Sequence, residues 1–143
     1  MDLITDVSKI QACHLHMEPL ASELALDNLT SPITELRVAY FPTTITDTEQ
    51  AIFEDSIAKF FSRIQLHAME MVGYSVGWPL EPLSVDGSPQ EGKAHVTCVG
   101  WQSIEAHEAI LKSQVFKDNE HLIINPTGAI HTEIVHFTGV RFK

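Results

Sequence analysis

Apolar residues recur at Phe53, Ile57, Phe60, Phe61, Ile64, Ala68 and Met71, at steps of 4, 3, 1, 3, 4 and 3. Those steps lay one continuous stripe along a helix of about 3.6 residues per turn. Thr46 and Glu49 precede the stripe in the T-x-x-E arrangement of a capping box. Asp47, Glu49, Glu54 and Asp55 gather near the helix start, where the dipole favours negative charge. The spacing predicts a long helix that starts after Thr46 and stops at Gly73.

Around this helix the period changes to 2. Residues 36–41 are β-rich and end at Pro42, which cannot continue a central strand. A second strand is expected over 74–78, ended by Pro79. Residues 79–92 are rich in proline, glycine and acids and read as a long hairpin connection or lid-like loop. A third strand over 93–101 puts His95, Thr97, Val99 and Trp101 on one face. Ala94, Val96, Cys98 and Gly100 take the other.

Ser103 is a good N-cap for a second helix running to about Phe116, with Ala106, Ile110 and Leu111 inward. Asn125-Pro126-Thr127-Gly128 is turn chemistry. A last strand over 129–140 alternates His131, Glu133, Val135 and Phe137 against Ile130, Thr132, Ile134 and His136. The order β-α-β-β-α-β is the ferredoxin-like arrangement, an α+β class with an antiparallel four-stranded sheet. We read residues 36–143 as this domain and residues 1–35 as an N-terminal extension that can pack on a partner. Within it, 10–17 resembles a short strand and 18–29 a short helix.

Composition narrows the function. The 143 residues are 44% hydrophobic and 20% charged, as in an ordinary globular domain. Nine basic against nineteen acidic residues give a net charge of −10. An acidic chain without a basic stripe argues against nucleic acid and against anionic membrane surfaces. The acidic start, Met1-Asp2-Leu3-Ile4-Thr5-Asp6, lacks the pattern of a signal peptide, and a cytoplasmic protein is the expectation. Cys13 and Cys98 are far apart in sequence and form no C-x-x-C, so free thiols are expected. Walker, G-x-G-x-x-G, G-x-S-x-G and H-E-x-x-H signatures are missing from the sequence.

From the first strand onward, the chain resembles the dimeric α+β barrel superfamily, in particular its antibiotic-biosynthesis-monooxygenase-like (ABM-type) domains. The resemblance covers roughly residues 36–142. It is carried by the 36–41 strand, the long helix, and the block Val99-Gly100-Trp101-Gln102-Ser103-Ile104-Glu105-Ala106-His107. Ser113 and Phe116 continue it, followed by the terminal strand around 131–137. The resemblance implies a homodimer whose sheets pack face to face, with a ligand pocket between each sheet and its own helices. Members include cofactor-free monooxygenases, cyclases, isomerases, dehydratases and haem-degrading enzymes. Ile110 stands where many members have a histidine, three positions before the serine of Ser-x-x-Phe, and no member's catalytic set carries over.

Eight histidines, clustered towards the sheet, suit general acid–base work near neutrality. The expected enzyme is cofactor-independent and transfers a proton on a hydrophobic, polyketide-like carbonyl compound by cyclisation, isomerisation or dehydration. His95 or His131 serves as base and Tyr74 as donor to the enolate oxygen. Trp78, Trp101 and Glu133 line the substrate. One alternative is a cofactor-free monooxygenase of phenols, with Trp78 or Trp101 in the pocket. Another is a non-catalytic ligand-binding or stress-related dimer. His14-x-His16, with His67, His95, His131 or His136, offers metal ligands on paper, but no spacing compels a metal site and none is expected. His107, His121 and the acids Glu105, Glu108, Asp118 and Glu120 read as a solvated helix face without a role.

Overall fold

A computed structural model describes residues 18–19 and 31–138. Its elements are β1 (Glu18–Pro19), β2 (Ile33–Phe41), α1 (Asp47–Gln65), β3 (Met71–Gly77), β4 (Leu83–Ser84), β5 (Glu91–Trp101), α2 (Ile104–Lys112), α3 (Gln114–Asn119) and β6 (His131–Phe137). The principal strands run in the order β3-β5-β2-β6, all antiparallel. In chain order that is second, third, first, fourth, the ferredoxin-like sheet. β1 adds to its edge by pairing Glu18 with Val76 and Pro19 with Ser75. Two of the residues read as a short helix are therefore strand, and the rest of that segment lies outside the described residues.

Helix α1 starts where the sequence predicts. Thr46 N donates to Glu49 Oε2 at 2.8 Å, and Glu49 N donates to Thr46 Oγ1 at 3.2 Å. The reciprocal pair satisfies two donors that a helix start otherwise leaves open. Thr46→Ala should therefore cost about 1 kcal/mol of stability, read as a lower urea midpoint with an unchanged m-value. The buried face is Phe53, Ile57, Phe60, Phe61 and Ile64. The helix ends at Gln65, before the expected stop at Gly73. Ala68 lies in the connection, and Met71 opens β3 opposite Trp101. A stripe that satisfies a helix also satisfies a turn and strand packed on the same core.

Strand β2 begins at Ile33, three residues into the segment read as extension. Ile33, Thr34 and Glu35 pair with Trp101, Gly100 and Val99. The second helix is interrupted at Ser113, whose backbone is extended (φ −73°, ψ 155°). Its hydroxyl donates to Ile110 O at 2.6 Å and accepts from Phe116 N at 3.2 Å. One serine thus closes α2 and caps α3. Ala106 and Ile110 face inward as expected, whereas Leu111 is exposed. Arg63 donates to Asn119 Oδ1 at 2.7 Å and ties α1 to α3.

The core lies between α1–α3 and one face of the sheet. Ala39, Phe41, Tyr74, Val99 and Trp101 supply that face. The opposite face carries Val38, Tyr40 and Ala94, covered in part by Leu83 and Val85. Residues 79–92 are therefore not a free lid. β4 pairs with β5, and the turn after it uses two left-handed residues, Asp86 (φ 50°) and Gly87 (φ 65°), types that tolerate that conformation. Cys98 is a buried free thiol, pushed by that burial to a pKa of about 11, so it is inert at neutral pH. Cys13 lies outside the described residues. No helix among the described residues is long and apolar enough to cross a membrane.

Candidate active site

Odd-numbered residues of β2 point to the helices, and two of them are charged. Glu35 and Arg37 are 5% and 9% exposed. Arg37 Nη2 lies 3.4 Å from Glu35 Oε1. From α2, His107 Nε2 reaches Glu35 Oε2 at 2.6 Å, with both side chains buried. From β6, His136 Nε2 stands 3.6 Å from the same oxygen, and its ring lies 4.8 Å from that of His107. Register brings His136 there, because it pairs directly with Glu35.

Burial pushes the Glu35 carboxyl towards the neutral form. The hydrogen bond from His107 and the charges of Arg37, His107 and His136 outweigh it, so the pKa falls below the ordinary 4.5. A carboxylate held ionised in a core orients and polarises the imidazole bonded to it.

Glu35, Arg37 and His107 border a small cavity of about 20 Å³, closed by Phe60, Phe61 and Trp101. That volume suits about one water. Trp101 is 4% exposed, and its Nε1 has no hydrogen-bond partner among the described residues. Its ring lies 5.1 Å from that of His107. Trp101 and Ile110 also line an open groove of about 520 Å³ between the end of α1 and α2. They form the partition between solvent and the buried polar cluster. A second cleft, of about 340 Å³, lies at the other end of α1 against Phe41, Ile45 and Phe53.

The six residues singled out in the sequence do not form one site. Trp101 borders the cavity. Tyr74 stacks on Phe61 with centroids 4.0 Å apart, which supports the cavity wall, and burial raises its hydroxyl pKa. His95 lies elsewhere on this face. Tyr74 pairs with Val99, four residues along β5 from His95, a distance of roughly 13 Å at strand rise. His95 is 1% exposed and wedged edge-on against Phe53 and Trp78, both at 4.9 Å. Desolvation lowers its pKa to about 4. Trp78 donates its Nε1 to Glu54 at 2.6 Å. His131 and Glu133 are on the opposite face, 3.6 Å apart, where the Tyr40 hydroxyl donates to Glu133 at 3.3 Å. A base at His95 or His131 assisted by Tyr74 is thus not one constellation.

His107 corrects a second expectation. It is 5% exposed, not on a solvated face. Starting the strand at Leu36 left Glu35 out and hid the pattern Ile33, Glu35, Arg37, Ala39, Phe41. Two opposite charges on the buried parity of a strand were the signal for this site.

No family model and no curated relative matches the sequence. Solved structures do. The protein At3g17210 from Arabidopsis thaliana superposes with a TM-score of 0.55 at 13% identity, over 78% of this chain and 99% of that one. SnoaB, a cofactor-independent oxygenase from Streptomyces nogalater, gives 0.53 at 13% identity, over 78% and 97%. This chain shares their fold. The likeness is to architecture, and the chemistry rests on the residues of this chain.

Proposed function

We propose that this chain is a cofactor-independent enzyme that transfers a proton on a small hydrophobic carbonyl compound, with His107 as the acid–base group. The supporting observation is the 2.6 Å contact of His107 with Glu35, both buried, at the wall of a cavity bordered by Phe60, Phe61, Ile64 and Trp101. Desolvating a carboxylate, a guanidinium and an imidazole costs stability that apolar side chains would not. Such arrangements concentrate where chemistry needs them.

The residues divide the task. With its Nε2 proton directed to Glu35, His107 keeps its basic lone pair on Nδ1. Glu35 stabilises the imidazolium that forms when Nδ1 takes a proton. Trp101 Nε1–H is a preorganised donor for the developing enolate oxygen, and it costs no exchange of an existing bond. The groove outside Trp101 and Ile110 takes the apolar body of the substrate, and in this proposal that partition opens to admit the carbonyl to His107 and Trp101 Nε1. Cyclisation, isomerisation and dehydration all begin with this proton transfer. The homodimer belongs to the same proposal, and light scattering should give twice 15.9 kDa.

Deuterium exchange at the carbon next to the carbonyl tests the reading on a panel of aromatic and polyketide-like ketones. His107→Gln should slow exchange by about 10²- to 10⁴-fold at unchanged fold. Trp101→Phe should lower the rate by about 10²-fold with little change in KM. Exchange that His107→Gln leaves intact would refute the assignment. Oxygen uptake on phenols would favour a monooxygenase, and retention without turnover a ligand carrier.

A further inference from the structure

The same cluster has the donor set of a metal site. Glu35, His107 and His136 each offer one ligand atom, all within 4.8 Å of one another. We propose that these three residues bind a divalent transition ion of the zinc type, in competition with the proton that Glu35 and His107 share. The inference goes beyond the proton-transfer reading and stands on the geometry of the three side chains.

Two imidazoles and one carboxylate suit zinc, iron or copper, whereas calcium and magnesium want oxygen ligands. Ligand atoms about 2.0–2.2 Å from a tetrahedral zinc lie roughly 3.3 Å from each other. The Glu35–His136 contact of 3.6 Å already fits this spacing, and the Glu35–His107 contact of 2.6 Å must open by less than 1 Å. His136 is the side chain free to adjust, being 37% exposed against 7% for the other two. Its exposure also leaves solvent access to the remaining coordination positions.

Arg37 completes the arrangement as a positioning residue. It lies against Oε1 of Glu35, while both imidazoles face Oε2. One carboxylate oxygen is thereby oriented towards the ligand nitrogens, as outer partners orient metal ligands. An ion on Nε2 of His107 leaves the proton of the neutral ring on Nδ1. The ring then has no lone pair for catalysis. On the proton-transfer reading, the metal-loaded and proton-transferring forms therefore exclude each other.

Titration of the full chain with Zn²⁺ alone, followed by native mass spectrometry and calorimetry, tests the site. One ion per chain is expected. His136→Ala, on the half-exposed ligand, should weaken binding at least about tenfold without affecting the fold. Glu35→Gln, checked for folding by circular dichroism, should do the same. Co²⁺ should give visible d–d bands that His136→Ala removes, a readout independent of any activity. The His14→Ala/His16→Ala double variant should bind unchanged. Failure to retain an ion, affinity unaltered by His136→Ala, or binding lost in the His14/His16 variant would each overturn the proposal.

Discussion

Glu35→Ala should lower the unfolding free energy by about 3–5 kcal/mol, because it strands the Arg37 guanidinium in a core with no carboxylate beside it. Arg37 and Glu35 side chains are only 10% and 7% exposed, so water cannot take over the missing partner. Replacing both residues by leucine should recover most of that loss. The double change removes the desolvation cost together with the attraction. The measurement is urea unfolding at neutral pH for Glu35→Leu, Arg37→Leu and the double leucine variant. Additive losses in the double variant would show that the contact is not a coupled buried pair. The double variant should also lose proton transfer and zinc binding while it folds, which separates the stability of the site from its chemistry.

Acid should destabilise the protein in a window set by His95. The unfolded chain protonates this imidazole below 6.5, whereas the folded protein resists until about 4. Between those values the unfolded state binds more protons, so stability falls as pH falls. The slope is about 1.4 kcal/mol per pH unit, for a total of about 3 kcal/mol. The cause is visible in the packing. The ring sits between Phe53 and Trp78, and its Nε2 has no partner among the described residues. His95→Phe should flatten the pH 4–6.5 window while keeping the fold. Glu35 acts lower. Its carboxyl titrates below 4.5 in the folded protein, so its contribution is lost only as pH falls through that depressed value. A His95→Phe protein with an unchanged slope above pH 4.5 would contradict this assignment.

These two results bear on the site in different ways. His95 was the first candidate for a base, yet its environment holds it neutral and enclosed by aromatic rings. Its measurable effect is on stability. In the sequence His107 reads as part of a solvated helix face without a role, because Glu105, His107 and Glu108 share the polar look of an exposed helix. Burial reversed that reading, and burial is not a property of a residue's neighbours in the chain.

Much of the fold was legible. The capping box of Thr46 and Glu49, the stripe from Phe53 to Ile64, and the alternation of β5 and β6 are short-range patterns, each set by one backbone period. They determined the four principal strands, their order with the helices between them, and the parity of each of those strands. The ends were less certain, because Ala68 and Met71 fit a helical stripe and a strand connection equally well.

Parity within a strand says which residues share a face, but not which face meets the helices or what lies across the sheet. That choice was made by the pairing of β2 with β6, which sets His136 opposite Glu35 and sends His131 and Glu133 to the other side. It was also made by the packing of α2, which lowers His107 onto Glu35. The sequence alone thus determined a ferredoxin-like chain with acid–base residues on its strands. Only the tertiary structure decided which of them meet, because a site built from β2, α2 and β6 exists only after long-range pairing and burial bring them together.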